Sequence, residues 1–371
     1  MPPRPLPHPA DIHRCAYLVE PGRIEVRNVA LPRPEPGQVL VRIERALAGG
    51  TDRKAFERGH PQIPMPGPFG HRYAGTVVAL GVGAPLFEPG QPIMGVHSAP
   101  CLACDLCRNQ RWHLCPDVMK EKVLGAFAQH LCIPEPVARQ NLFPRPTRLS
   151  PEHAALLEPL ACVVHGLEML DWRGVDRVLI LGLGAMGLLF AQLLPFYTAG
   201  HRAGAGRRQR RLELAQCFGL APVWDVAAVP LGEQLASTER FDCVVECTGQ
   251  LDGWQQAFER TAPGGQVLLF GGLPRGTVYP VDSYRLHYEE VHVLGSFHFS
   301  PADVAKAREY LLSDRLQLGP LIDDCLALEH LPEVMRRLRQ SEGIQYAIDP
   351  WNGVSGPGGD CEGRGVPRDV E

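Results

Sequence analysis

The chain has no strong excess of charge of either sign. Its 371 residues carry 37 Lys and Arg against 41 Asp and Glu, a formal net charge of -4. That argues against nucleic acid as a main partner, because a nucleic-acid binder presents a basic face. An export signal is also missing. The N-terminal stretch MPPRPLPHP is rich in proline and has no apolar core, so residues 1–14 are expected to form a disordered leader. Without export, the 12 cysteines are expected to be reduced thiols in the cytoplasm rather than disulfides. Nor is there an unbroken apolar run of membrane length. Residues 178–196 (VLILGLGAMGLLFAQLLPF) come nearest and carry no charge, but Gly182, Gly184 and Gly187 split the run and Pro195 ends it. A buried strand, a tight turn and a buried helix suit that pattern better than a membrane span.

What is present points to a large core and two domains, given the length and a hydrophobic content of 45%. Four cysteines, Cys101, Cys104, Cys107 and Cys115, follow the spacing C-x2-C-x2-C-x7-C. Two short steps and one longer loop let four thiolates converge on one zinc ion at about 2.3 Å. A closed four-thiolate site leaves no position for substrate, so it reads as structural zinc. An iron–sulfur cluster is the alternative that similar runs also serve.

The apolar run contains a second motif. The aliphatic stretch RVLIL (177–181) leads into G-L-G-A-M-G at Gly182, Gly184 and Gly187, and a helical run follows. The three glycines permit a tight turn, close approach of the backbone to a pyrophosphate, and tight helix–strand packing. The helix N-terminus then offers unpaired N–H groups to the anion. Further αβ patterns at 241–249 and 264–272 strengthen the reading as a dinucleotide-binding unit. Cofactor choice is read about twenty residues on. There the chain has Gly206, then Arg207, Arg208, Gln209, Arg210 and Arg211. A small residue followed by arginines suits a 2′-phosphate, which favours NADP(H) over NAD(H). A solvated basic helix start is the alternative, at least for Arg210 and Arg211. The strand before it, AGHRAGAG, is poor in β-branched residues, which leaves its register open.

This order of motifs resembles the zinc-dependent medium-chain alcohol dehydrogenase family. The resemblance covers about residues 15–350. GTD stands at 50–52, GHRYAG at 70–75, then the four cysteines, LEPLACVVHG at 157–166, the glycine fingerprint, and LGSF at 294–297. The LEPLA form is similar to the polyol and threonine dehydrogenase branch. The resemblance implies an α/β protein with two parts. A GroES-like, mostly β catalytic domain with the zinc lobe would span 15–167, and 298–350 would complete it. A doubly wound Rossmann sheet would span 168–297. The active site would lie in the cleft between them, and residues 351–371, with Cys361, would form a disordered tail. It also implies a small-molecule alcohol or carbonyl substrate and a homodimer or homotetramer, with the last Rossmann strand near 291–297 pairing between subunits.

Carried over residue by residue, the family's catalytic zinc meets a conflict. Its histidine matches His71 and its glutamate Glu158, but the cysteine position is Gly49, and the glutamate after the histidine is Arg72. His60 and Cys162 are the candidate substitute ligands, though a Pro-rich loop and a small packing residue explain them as well. In the family, Thr51 would accept the alcohol proton and Asp52 would orient His71. Either could equally cap the helix over 53–58. Three functions follow: an NAD(P)-dependent oxidoreductase of a secondary alcohol, polyol or sugar-like substrate; a zinc-independent carbonyl reductase, in which Arg72, Thr51 or His71 would polarise the carbonyl by charge or hydrogen bonding; or an NADPH-binding pseudoenzyme.

Overall fold

The computed structural model describes residues 11–352. Strand Arg177–Leu181 shows why its sequence is aliphatic from Val178 onward. Val178 and Ile180 enter one core with Phe190 and Leu268, while Leu179 and Leu181 enter another with Val244 and Val267. Both faces are covered over residues 178–181, so all four of those positions are apolar. The strand lies inside a six-stranded sheet in the order Val223–Asp225, His201–Gly206, Arg177–Leu181, Phe241–Glu246, Thr261–Leu269, His292–Gly295. Every pairing is parallel. This is the doubly wound Rossmann order, whose switch point lies between Arg177–Leu181 and Phe241–Glu246. Residues 178–196 thus form strand, turn and helix, and among the described residues no helix is long and apolar enough to cross a membrane.

The register left open by AGHRAGAG runs from His201 opposite Arg177 to Ala205 opposite Leu181. Its small residues have a packing reason. A Cβ on Gly204 would stand 2.7 Å from Leu220 and 3.1 Å from Leu183, and one on Gly206 would stand 2.9 Å from Leu183 Cβ. Leu183, inside the glycine fingerprint, takes the volume that β-branched side chains would otherwise fill.

The other sheets are largely antiparallel. A seven-stranded sheet runs Cys325–Ala327, Tyr346–Asp349, Val39–Ala48, Tyr73–Leu80, Pro92–Gly95, Leu142–Pro144, with His130–Ile133 also paired to Val39–Ala48. Strand Ile12–Glu20 pairs with Arg23–Ala30 and Gly67–Pro68 in a separate sheet. Tyr346–Asp349 pairs with Val39–Ala48, which places a C-terminal strand in the same sheet as the N-terminal ones.

Two expected boundaries need correction. The first strand begins at Ile12, inside the stretch expected to be a leader. Trp351, expected in the tail, is packed: its indole N–H donates to Ile43 O at 2.7 Å, and the Arg42 guanidinium lies 4.0 Å from its ring. Both segments have a partner, which composition alone does not reveal. The rest of the leader (1–10) and of the tail, with Cys361, lies outside the described residues.

A pH dependence of stability follows from this packing. The rings of His13 and His130 lie 5.8 Å apart, and His130 also meets Trp351 at 5.4 Å. Burial pushes each imidazole from the ordinary 6.5 down to about 4, and His13 and the Arg42 guanidinium add to the lowering at His130. Both must therefore stay neutral. Because the folded values lie below the unfolded ones, the unfolded chain binds more protons between them. Stability is complete above pH 6.5 and falls as pH drops toward 4. The melting temperature is expected to fall by about 5 °C from pH 7 to pH 4.5. The drop should shrink in a His13→Phe/His130→Phe variant, and an equal drop in both proteins would assign it to other groups.

Candidate active site

The glycine turn opens at the sheet's switch point. Gly182 turns with φ +95°, and a Cβ there would meet Thr248 at 2.8 Å and the Cys247 backbone at 3.0 Å. Gly187 lets helix Ala185–Leu193 lie on the turn, since a Cβ would stand 2.0 Å from Gly182 O. Gly184 differs, because nothing lies within 4 Å of its Cβ position. It faces open space at the helix N-terminus, where unpaired N–H groups favour an anion. The space is a cavity of about 920 Å³ lined by Gly182, Gly184, Gly206, Arg207, Arg208 and Thr248, among others. Buried Glu246 fixes the opposite lip. It accepts N–H bonds from Thr248 at 2.6 Å and Gly249 at 3.1 Å, while burial raises its carboxyl above the ordinary value. These residues fit a nicotinamide dinucleotide.

The arginines divide. Arg210 pairs with Asp323, and Arg211 donates to Gly343 O at 2.5 Å, so both join the nucleotide sheet's helix to the C-terminal segment. They are therefore more than a solvated helix start. Arg208 holds φ +74°, an uncommon value for a residue with a side chain, and donates to Gln340 O at 2.9 Å. With exposed Arg207, it lines the cavity.

The four cysteines converge. Their sulfurs all lie within 4.8 Å of one another, with Cys101–Cys107 at 3.9 Å and Cys104–Cys115 at 3.8 Å. Four sulfurs at about 2.3 Å from one tetrahedral zinc would be about 3.8 Å apart. The N–H groups of Ala103 and Cys104 lower the Cys101 thiol to about 7, while burial raises Cys107 to about 12 in the absence of a cation. Among the described residues, these cysteines are the one group of three or more ligating side chains close enough to share an ion.

His71, Arg72 and Glu158 also meet, although not as a metal site. Gly49 follows strand Val39–Ala48, Arg72 precedes Tyr73–Leu80, and Gln345 precedes Tyr346–Asp349. The pairs Ala46–Tyr73 and Ala48–Tyr346 bring these three strand ends together. Arg72 is buried, with Nε donating to Glu158 Oε2 at 2.9 Å and Nη1 to Gln345 Oε1 at 2.8 Å. A Cβ on Gly49 would lie 2.6 Å from that Nη1. The guanidinium thus fills the space that a side chain at 49 would use. His71 Nε2 is 3.9 Å from Glu158 Oε2, and the other Glu158 oxygen faces His97 Nδ1 at 3.5 Å and Cys162 Sγ at 3.7 Å.

A catalytic zinc ion does not fit these residues. A unit positive charge about 5 Å from a divalent ion opposes it by about 7 kcal/mol at an effective dielectric of 20. Gly49 offers no ligand. Cys162 meets the carboxylate oxygen turned away from His71, and burial holds it as a thiol. His60 uses Nδ1 to accept the Gln62 N–H at 3.2 Å within its own turn.

Asp52 lies between the start of a helix and the His71 ring. Its Oδ2 accepts the Gly49 N–H at 2.9 Å, at the start of helix Gly50–Arg58, and its Oδ1 lies 3.3 Å from His71 Nδ1. Burial alone would raise this carboxyl, but His71, Arg72 and the Gly49 N–H hold it below the ordinary value. Thr51 is half-buried one position before it. Three residues escaped sequence reading: His97, His298 and Gln345. The His97 ring lies 5.2 Å from both His71 and His298, and His298 Nε2 lies 2.6 Å from Ser98 Oγ. Burial lowers His97 and His298 well below 6.5, so both are neutral near pH 7. None stands in a spacing pattern; only the φ of +65° at His298 marks its position.

Comparison with known proteins agrees with this geometry. Residues 35–144 match the alcohol dehydrogenase GroES-like domain, and residues 185–313 match the zinc-binding dehydrogenase family. An L-threonine 3-dehydrogenase from Aeromonas hydrophila is 30% identical over 302 residues, 79% of this chain and 86% of that protein. One from Rhizobium johnstonii is 25% identical over 338 residues, 87% of this chain and 94% of that protein. A zinc-binding dehydrogenase from Sinorhizobium meliloti, solved with NADP bound, superposes with a TM-score of 0.82 at 28% identity, covering 92% of this chain and 100% of that one. The motifs, the sheet order and these relatives agree: the chain belongs to the zinc-dependent medium-chain alcohol dehydrogenase family and is an NAD(P)-dependent oxidoreductase.

Proposed function

We propose that the chain uses NADP(H) to interconvert a small secondary alcohol, polyol or sugar-like substrate with its carbonyl compound. The observation that carries the cofactor choice is the end of strand His201–Gly206. Gly206 and two arginines line the cavity there, where an NAD-binding chain would present a carboxylate. The NADP found in the Sinorhizobium meliloti relative supports it, and the threonine dehydrogenase relatives support a small hydroxyl-bearing substrate. When bound, the nicotinamide supplies or accepts the hydride. The chain's own residues do the rest. The glycine turn receives the pyrophosphate, Arg207 and Arg208 hold the 2′-phosphate, and Asp52 keeps the His71 ring in place while Thr51 handles the hydroxyl proton. The four cysteines hold a structural zinc ion. The protein works in the cytoplasm as a homodimer or homotetramer; the exposed Val293 in the sheet-edge strand His292–Gly295 and the exposed Phe297 just after it support the pairing.

Fluorescence titration tests the cofactor choice. NADPH is expected to bind at least about tenfold more tightly than NADH, and Arg207→Ala should remove most of that margin while leaving NADH affinity unchanged. Equal affinities in the unmodified protein would overturn the NADP reading.

A further inference from the structure

We infer that the Arg72 guanidinium takes the place of a metal ion in this site and holds the substrate oxygen during hydride transfer; this rests on the oxidoreductase reading above. The support is spatial. Gly49 and Arg72 are one arrangement rather than two separate departures, because a Cβ at 49 would stand 2.6 Å from Nη1 and 3.4 Å from Cζ. A side chain at 49 and this guanidinium cannot both be present unless one moves.

The cation is also held rigidly. Glu158 comes from helix Leu157–Glu168 and Gln345 from the chain before the last strand, and they take Nε and Nη1. Nη2 is the guanidinium nitrogen that neither of them takes, and it lies 3.6 Å from the Cβ position of Gly49. Fixed, planar donors in a buried site stabilise charge developing on an oxygen without having to reorganise. The surrounding charges fit the task. His97 and His298 are neutral, and Glu158 balances the guanidinium, so the site presents N–H donors with little net attraction for anions. A neutral carbonyl oxygen suits it better than a carboxylate.

The step balances. The carbonyl carbon accepts a hydride from NADPH, and the C=O π pair moves onto oxygen. That oxygen, hydrogen-bonded to Arg72, then takes one proton from solvent by way of the Thr51 hydroxyl, which is re-protonated in turn. The products are the alcohol and NADP+, and Arg72 keeps all its protons.

The first readout is zinc per chain by elemental analysis. The unmodified protein should hold one zinc ion, and Gly49→Cys/Arg72→Glu, which restores ligands at both positions, should hold two. Two in the unmodified protein, or no gain in the variant, would overturn the metal's replacement. The second readout is kinetic. Arg72→Ala should lower kcat about 100- to 1,000-fold with NADPH affinity within about twofold, and added guanidinium ion should restore part of the rate. Arg72→Ala/Glu158→Gln guards against misfolding around a bare buried carboxylate and should show the same rescue. An unchanged kcat, or a loss that guanidinium never restores in either variant, would overturn the role at the substrate oxygen. If the unmodified protein turned over no alcohol or carbonyl, the oxidoreductase reading would fail, yet the zinc count would still decide whether the guanidinium holds the metal's place.

Discussion

Gly187→Ala is expected to disable the cofactor site and loosen the nucleotide domain together. The new Cβ would lie 2.0 Å from Gly182 O, and both partners are backbone. Neither can swing aside. Gly182 is confined by its φ of +95° and by Thr248 and Cys247. Helix Ala185–Leu193 must then move off strand Arg177–Leu181, which carries the centre of the sheet. Overpacking of this kind destabilises by about 1–3 kcal/mol, and the pyrophosphate cradle is displaced as well. NADPH affinity should fall at least about 100-fold and the melting temperature by several degrees. Gly184→Ala is the control. Its Cβ meets nothing within 4 Å and its φ is an ordinary -81°. It should leave the melting temperature unchanged and still weaken NADPH about tenfold, because the methyl occupies the anion's approach. Calorimetry and titration on both variants separate the cases. A Gly187→Ala protein that binds NADPH normally would show that the turn is not the phosphate site.

The second large effect is expected from Cys107→Ser. The cysteine lobe has almost no core of its own, with only Cys107, Cys115 and Val118 buried in its cluster. Those three contribute on the order of 5 kcal/mol. Ordering residues 101–120 opposes folding by at least about 1 kcal/mol per residue. The metal must supply the difference, and structural zinc contributes about 10–16 kcal/mol in small domains. The serine variant should therefore lose its zinc ion, and protease should cut within the lobe. Activity should fall too, at least about tenfold, through a specific contact. His113 of the lobe lies 4.3 Å from the His165 ring, and His165 bonds Asp303 at 2.9 Å. His165 shares helix Leu157–Glu168 with Glu158, the partner of Arg72. NADPH affinity should hold, because the cofactor cavity is built from other segments. A variant that keeps zinc and resists protease would refute a structural role for the metal.

Gly49 and Arg72 set this site apart from the family's pattern in what lies at its centre. His71, Asp52 and Glu158 remain, and Asp52 still faces His71. What differs is the group they surround: a guanidinium bonded to Glu158 and Gln345, seated against a residue without a side chain.

The amino-acid sequence by itself determined the features that depend on local spacing. The steps between Cys101, Cys104, Cys107 and Cys115 set how four sulfurs can converge, and the glycines at 182, 184 and 187 set the turn, so both were legible without coordinates. The Rossmann sheet was legible through the resemblance. Only the tertiary structure decided the direction of Arg72. From sequence, the side chain could point to solvent or inward. The choice was made by two acceptors 86 and 273 residues away along the chain and by the missing side chain at Gly49. His97, His298 and Gln345 were hidden for the same reason, since their meaning lies in strand ends and loops that come together only after folding. The small residues of His201–Gly206 looked like a weak strand, yet they make room for Leu183. Spacing can report on neighbours within a turn or two, whereas a buried charge is placed by partners that the chain brings from far away.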